Sequence, residues 1–151
     1  MRSKCSIAIA AILLSGPSSG AQKPAGKPCS GADLVGTWRV ETVNGESRPP
    51  DYPVHKHLTT THFVVIGWNP KDNNIVTRVH GGPYTAAGGN YTEVIAYGFG
   101  GPYEALRTAG GRFEYSCRID RNQWHIDGNL GGNAYSETWV RVDSPNAGAK
   151  Q

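Results

Sequence analysis

The chain has 151 residues, a formal net charge of +3, 20 glycines and only 3 cysteines. Two of its positive charges, Arg2 and Lys4, sit in the opening segment. The remainder is close to neutral and has no lysine or arginine run to neutralise phosphates, which argues against nucleic acid as a partner. Glycine at this abundance argues against a helical bundle, because each helix-interior glycine costs about 1 kcal/mol relative to alanine.

Residues 5–14 form an apolar run behind those two charges, too short to cross a bilayer as a stable helix. Small residues follow at Ser19 and Ala21, the spacing of a signal-peptide cleavage site, with Gln22 as the first mature residue. Residues 1–21 therefore read as a signal peptide, which places the mature protein in a periplasm or outside the cell. No further apolar stretch has the length of a transmembrane segment, and neither Cys5 nor Cys29 has the context of a lipid-anchored cysteine. Cleavage leaves about 130 residues, enough for one hydrophobic core. Residues 22–33 are rich in proline, glycine and lysine and read as a flexible linker, and residues 143–151 read as a flexible tail.

From 34 to 142 the pattern is of short strands punctuated by glycine, proline and asparagine. Strands are predicted over 36–43, 57–68, 74–80, 90–99, 112–119, 123–130 and 134–142, with a further short one near 103–107. The tight turns at 120–122 and 131–133 make 112–142 an antiparallel meander. The Gly-Gly pairs, 81–82 among them, are expected at strand ends. Alternation puts Tyr91, Glu93, Ile95 and Tyr97 on one face, and Tyr135, Glu137, Trp139 and Arg141 on one face of the last strand. Both faces of these strands carry apolar or aromatic residues, as a barrel filled or partly filled by large side chains requires. The fold class is thus all-β, a small antiparallel up-and-down barrel of about seven or eight strands. Cys5 leaves with the signal, so Cys29 and Cys117 are the remaining pair in an oxidising compartment and are expected to be bridged.

The first strand carries Gly36-Thr37-Trp38 and the last ends Glu137-Thr138-Trp139-Val140-Arg141. This resembles the lipocalin and wider calycin pattern, in which a tryptophan early in the first strand packs beneath an arginine late in the last. The resemblance implies that Trp38 and Arg141 close one end of the barrel. Thr61-His62-Phe63, the segment 81–85, Tyr91-Thr92-Glu93 and Trp124-His125 further resemble bacterial secreted lipocalin-like domains whose function is generally unassigned.

Five histidines occur, none in a standard zinc spacing, so no metal site and no cofactor is expected. His55 and His57, two apart, point the same way and are read as a partly exposed pair. His62 shares parity with Val64 and Ile66; if that face is inward its imidazole is either a polar anchor or a core histidine satisfied by a tyrosine. Glu93, between Tyr91 and Ile95 on its face, must be paired if buried, with Arg39, Arg78, Arg118 and Tyr84 as candidate partners. Glu137 is expected to pair with an arginine near the barrel end. Tyr84, after Gly81-Gly82-Pro83, stands at a rim, and only one of Trp124 and His125 sees the interior.

The first functional reading is an exported barrel that binds a small, largely apolar molecule, with His62, Tyr84, Tyr91, Glu93 and His125 as polar anchors. A second is a cofactor-independent isomerase, cyclase or lyase on the same scaffold, with His62 and Glu93 as acid and base and Tyr91 polarising a carbonyl. It requires His62 and Glu93 to project into one cavity. A third is a structural or partner-binding module whose aromatics are all core.

Overall fold

The computed structural model describes residues 26–49, 51–100, 103–108 and 110–142. The expected signal peptide, the first part of the linker and the C-terminal tail lie outside the described residues.

The elements in chain order are β1 (Lys27–Pro28), α1 (Gly31–Leu34), β2 (Gly36–Val43), β3 (Glu46–Ser47), β4 (Val54–Leu58), β5 (His62–Asn69) and β6 (Ile75–Ala87). They continue with β7 (Asn90–Val94), β8 (Tyr97–Phe99), α2 (Tyr103–Thr108), β9 (Arg112–Asp120), β10 (Gln123–Leu130) and β11 (Asn133–Arg141). Eight of the strands run in the order β9-β10-β11-β2-β4-β5-β6-β7, and β7 pairs back onto β9 from Asn90↔Ser116 to Val94↔Arg112. The result is a closed, antiparallel, eight-stranded barrel, in which closure leaves no long unpaired edge. The meander β9-β10-β11 follows the sequence expectation, with Arg121 (φ 55°) and the Gly131-Gly132 pair turning its two hairpins.

Several expectations need correction. The run 57–68 is two strands, because the Thr59 hydroxyl accepts the backbone N–H groups of Thr61 and His62 and turns the chain between β4 and β5. The segment near 103–107 is helical, as Glu-Ala-Leu-Arg composition favours once no strand partner is present. The second half of the expected linker is built into the barrel: β1 pairs with β9, and the Ser30 and Asp33 side chains close a capping box on α1. Gly81 and Gly82 lie within β6, at the point where that strand stops pairing with β8 and starts pairing with β7.

Gly82 has a specific reason to be glycine. A Cβ there would stand 2.0 Å from the Val94 carbonyl oxygen and 2.8 Å from the Ala96 nitrogen, both backbone atoms. We expect Gly82→Ala to cost about 1–3 kcal/mol through the forced backbone shift, read as a lowered urea midpoint. An unchanged midpoint would mean that β7 and β8 part at no cost.

The core fills one end of the barrel. Trp38, Trp124, Phe63, Tyr91 and Leu34 are almost completely buried there. Trp38 and Trp124 meet edge to face at 5.5 Å, and Tyr91 stands perpendicular to Trp124 at 5.0 Å. α1 plugs this end: the Trp38 indole donates to the Leu34 carbonyl at 2.8 Å. The Arg141 guanidinium lies 4.2 Å from the centre of the Trp38 ring and donates to the carbonyls of Val35 (2.9 Å) and Asp33 (2.6 Å). Cys29 and Cys117 are joined, which ties the segment before α1 to β9.

Candidate functional site

Above this plug the barrel is not filled. A cavity of about 160 Å³ lies toward the other end, walled by Val40, Val54, Val65, Ile95 and Phe113. Tyr103 and Leu106 of α2 reach it from above, and Arg48 and Arg78 reach it from the rim. Strand alternation explains the walls, since residues two apart on β4, β5 and β9 share the inner face.

The cavity's polar residues come from inward positions on five strands, β4, β6, β7, β9 and β11. On β4, Val54, Lys56 and Leu58 point inward, so the strand delivers a lysine into the interior at 3% exposure. On β7, Tyr91 and Glu93 point inward, with Glu93 at 4%. Lys56 Nζ donates to Glu93 Oε1 at 2.6 Å, and the Tyr91 hydroxyl donates to the same oxygen at 2.6 Å. Four aromatic rings surround the ammonium: Trp139 at 4.6 Å, Trp124 at 5.1 Å, Tyr91 at 5.6 Å and Phe63 at 5.7 Å. This is a buried cation held by one carboxylate and four ring faces, at the boundary between filled core and cavity.

Nearer the rim, Glu137 accepts from the Tyr135 hydroxyl and from the Trp139 indole nitrogen, the latter at 2.8 Å. Burial, reinforced by the charges of Glu93 and Glu137, pushes the Tyr115 phenol well above its ordinary pKa, and burial beside Glu137 does the same for Tyr135. Both therefore stay protonated; the Tyr135 proton is committed to Glu137, while Tyr115 presents its O–H to the cavity.

His80 also faces this space, with Tyr103 stacked on it at 3.8 Å between ring centres. Its Nδ1 is buried without a hydrogen-bond partner among the described residues. Burial first, then the positive charges of Lys56 and Arg78, push its pKa down from 6.5 to about 3. Between those values the unfolded chain binds a proton that the folded chain does not, so this residue's contribution to stability is lost as pH falls from 6.5 toward 3. His80→Phe keeps the stack on Tyr103 and removes the titration. We expect it to flatten stability against pH by about 1 kcal/mol per unit in the upper part of that window, above the carboxylate range. Parallel curves for variant and wild type would remove His80 as the cause.

The sequence-derived candidates distribute unevenly over this site. Glu93 and Tyr91 come together, but the partner of Glu93 is Lys56 rather than Arg39, Arg78, Arg118 or Tyr84. His62 lies at the start of β5, exposed, with its ring against the Thr61 hydroxyl at 2.9 Å, while Phe63 and Val65 point inward. It is neither a pocket anchor nor a core histidine, and it does not share a cavity with Glu93. The acid–base pair of His62 and Glu93 is not assembled. His125 lies on the outer face, its Nδ1 3.2 Å from the Thr138 hydroxyl, because Trp124 takes the inward position. Tyr84 is buried at the filled end and donates to the Thr59 carbonyl at 2.7 Å, so it guards no entrance. Glu137 pairs with Tyr135 and Trp139 instead of an arginine. His55 and His57 share the outer face of β4, their ring centres 6.1 Å apart. Among the described residues no group of three metal-ligating side chains occurs.

Lys56, His80, Tyr115 and Tyr135 were not singled out from the sequence. The signal for Lys56 is legible: in Val54-His55-Lys56-His57-Leu58 the lysine has the parity of the two aliphatic residues.

No family model and no curated protein matches this chain. Among solved structures, an uncharacterized protein from Bacteroides eggerthii is similar with a TM-score of 0.50 at 10% identity, covering 72% of this chain and 99% of that one. The fluorescent protein UnaG and the REP1-NXSQ fatty acid transporter each give a TM-score of 0.41 at 11% identity, over 74% of this chain and 98% of theirs. At 10% identity the likeness to the Bacteroides eggerthii protein is one of fold. Fold and site together define a closed antiparallel barrel with one end plugged and a polar-floored cavity in the other.

Proposed function

We propose that this protein is an exported, lipocalin-like barrel that binds a small molecule in its interior. The observation that carries the reading is the cavity above the Lys56–Glu93 pair, where apolar walls meet a charged, hydrogen-bonded floor. Walls of valine, isoleucine and phenylalanine favour an apolar body, and the lysine, glutamate and tyrosine groups favour one polar end. The volume limits the ligand to a short amphipathic compound, since a cavity of about 150 Å³ is of the size that takes benzene. The closed-end contact between Trp38 and Arg141 supports the lipocalin-like assignment. Export is supported by the residue 1–21 signal pattern and by the Cys29–Cys117 bond.

The test is native mass spectrometry of the mature protein purified from its own host's periplasm or medium, with organic extraction of whatever it retains. A retained small molecule is expected, and Val54→Phe, which fills the cavity wall without adding a polar group, should release it while leaving the barrel folded. An empty protein that is also not stabilised by any of a panel of short amphipathic compounds would overturn the reading.

A further inference from the structure

We propose that Lys56 is a carbonyl-capturing lysine, and that the cavity takes small aldehydes and holds them as protonated imines on its Nζ. The proposal rests on the interior being a binding site and names the chemical class it takes.

A lysine and a glutamate could be replaced here by apolar residues of similar volume at little or no cost to stability, because desolvating both ions offsets most of their attraction. This pair is placed where such a group can meet a ligand, at the floor of the cavity, with both residues lining it. The rings of Phe63, Tyr91, Trp124 and Trp139 enclose the ammonium, and Glu93 Oε1 at 2.6 Å is within proton-transfer reach. Tyr115, which keeps its phenolic proton, faces the same space and offers a donor for a carbonyl oxygen.

The step balances without an added reagent. The Lys56 ammonium gives a proton to Glu93, and the freed nitrogen lone pair attacks the aldehyde carbon while the C=O π pair moves to oxygen. That oxygen takes the proton from Glu93, giving a carbinolamine. Glu93 then removes a second proton from nitrogen and passes it to the hydroxyl, which leaves as water as the nitrogen lone pair forms the C=N bond. Ammonium plus aldehyde becomes iminium plus water, with the same net charge at the same place. The carboxylate and the four ring faces that hold an ammonium hold the iminium equally well, and the apolar walls limit the water that would hydrolyse it.

The experiment uses the full mature chain with benzaldehyde and sodium cyanoborohydride, which reduces an imine to a stable benzylamine, followed by peptide mapping. Calorimetry with benzyl alcohol, which matches the aldehyde in shape but cannot condense, reports interior binding separately. The expected result is benzylation at Lys56 exceeding that at exposed Lys27 and Lys71 by about tenfold or more, with saturable benzyl alcohol binding. Glu93→Gln should slow labelling at Lys56, and in Lys56→Arg total labelling should fall to that of the surface lysines. Benzyl alcohol binding with labelling of Lys56 no faster than of Lys27 and Lys71 would overturn the imine and leave interior binding standing. Neither binding nor label at Lys56 would overturn both.

Discussion

Lys56→Met is expected to lower the stability of the barrel by about 3–5 kcal/mol, the cost of leaving a buried charge without its partner. The stranded group is Glu93, 4% exposed, whose remaining hydrogen bond in the variant comes from the Tyr91 hydroxyl. Glu93→Gln should cost less than Lys56→Met. The amide oxygen still accepts from Tyr91, and the ammonium keeps four aromatic faces, each worth about 0.5–2 kcal/mol depending on desolvation. The double variant Lys56→Met, Glu93→Gln should recover a large part of the single loss, since neither buried charge of the pair is then left without its partner. Urea unfolding of the three variants gives the coupling directly. Losses that simply add would show that each residue is held by its surroundings and not by the other, and would remove the pair as a unit of the site.

The same pair shows how far the sequence reaches and where it stops. Strand alternation is legible where one face carries the large aromatic residues: Tyr91, Glu93 and Ile95 are all buried on the inner side, and the β9-β10-β11 meander stands on the turns the sequence marks. It fails where both faces are apolar. In β5, Phe63 and Val65 point inward while Val64 and Ile66 point outward, and nothing in their chemistry ranks the two sets. Reading 57–68 as one strand hides the turn at Thr59 that sets the register and with it the outward direction of His62. Lys56 is hidden in the sequence for a different reason. A lysine between two histidines reads as a polar surface stretch, although its neighbours at i−2 and i+2, Val54 and Leu58, are both buried. The partner of Glu93 lies 37 residues away in sequence, and such a pairing depends on barrel closure, which local pattern does not contain. His80 could not have been found from its neighbours either, because its burial depends on α2 laying Tyr103 across it.

Removing the disulfide, by Cys29→Ser with Cys117→Ser, should cost about 4–5 kcal/mol, the loop-closure entropy of a long cross-linked segment. The bridge spans 88 residues and therefore encloses most of the barrel. Its loss would take a large share of the 5–15 kcal/mol that a domain of this kind has in all. Strand pairing cannot replace it locally. β1 is two residues long, and beyond it the segment is held by single backbone bonds, Cys29 N–H to the Cys117 carbonyl at 3.3 Å and Gly89 N–H to the Cys29 carbonyl at 3.2 Å. Because the constraint acts mainly on the unfolded chain, the serine variant should show a steeper urea dependence as well as a lower midpoint, its unfolded state exposing more surface. A lower midpoint with unchanged slope would instead locate the effect in the folded barrel, in the seating of α1. That segment is anchored on its other side by Arg141, bonded to the carbonyls of Asp33 and Val35, and by Trp38, bonded to Leu34. In the serine variant, hydrogen exchange should therefore rise first at residues 26–30, on the side that has lost its tether, and last around Lys56, where the four rings and Glu93 still close on the ammonium.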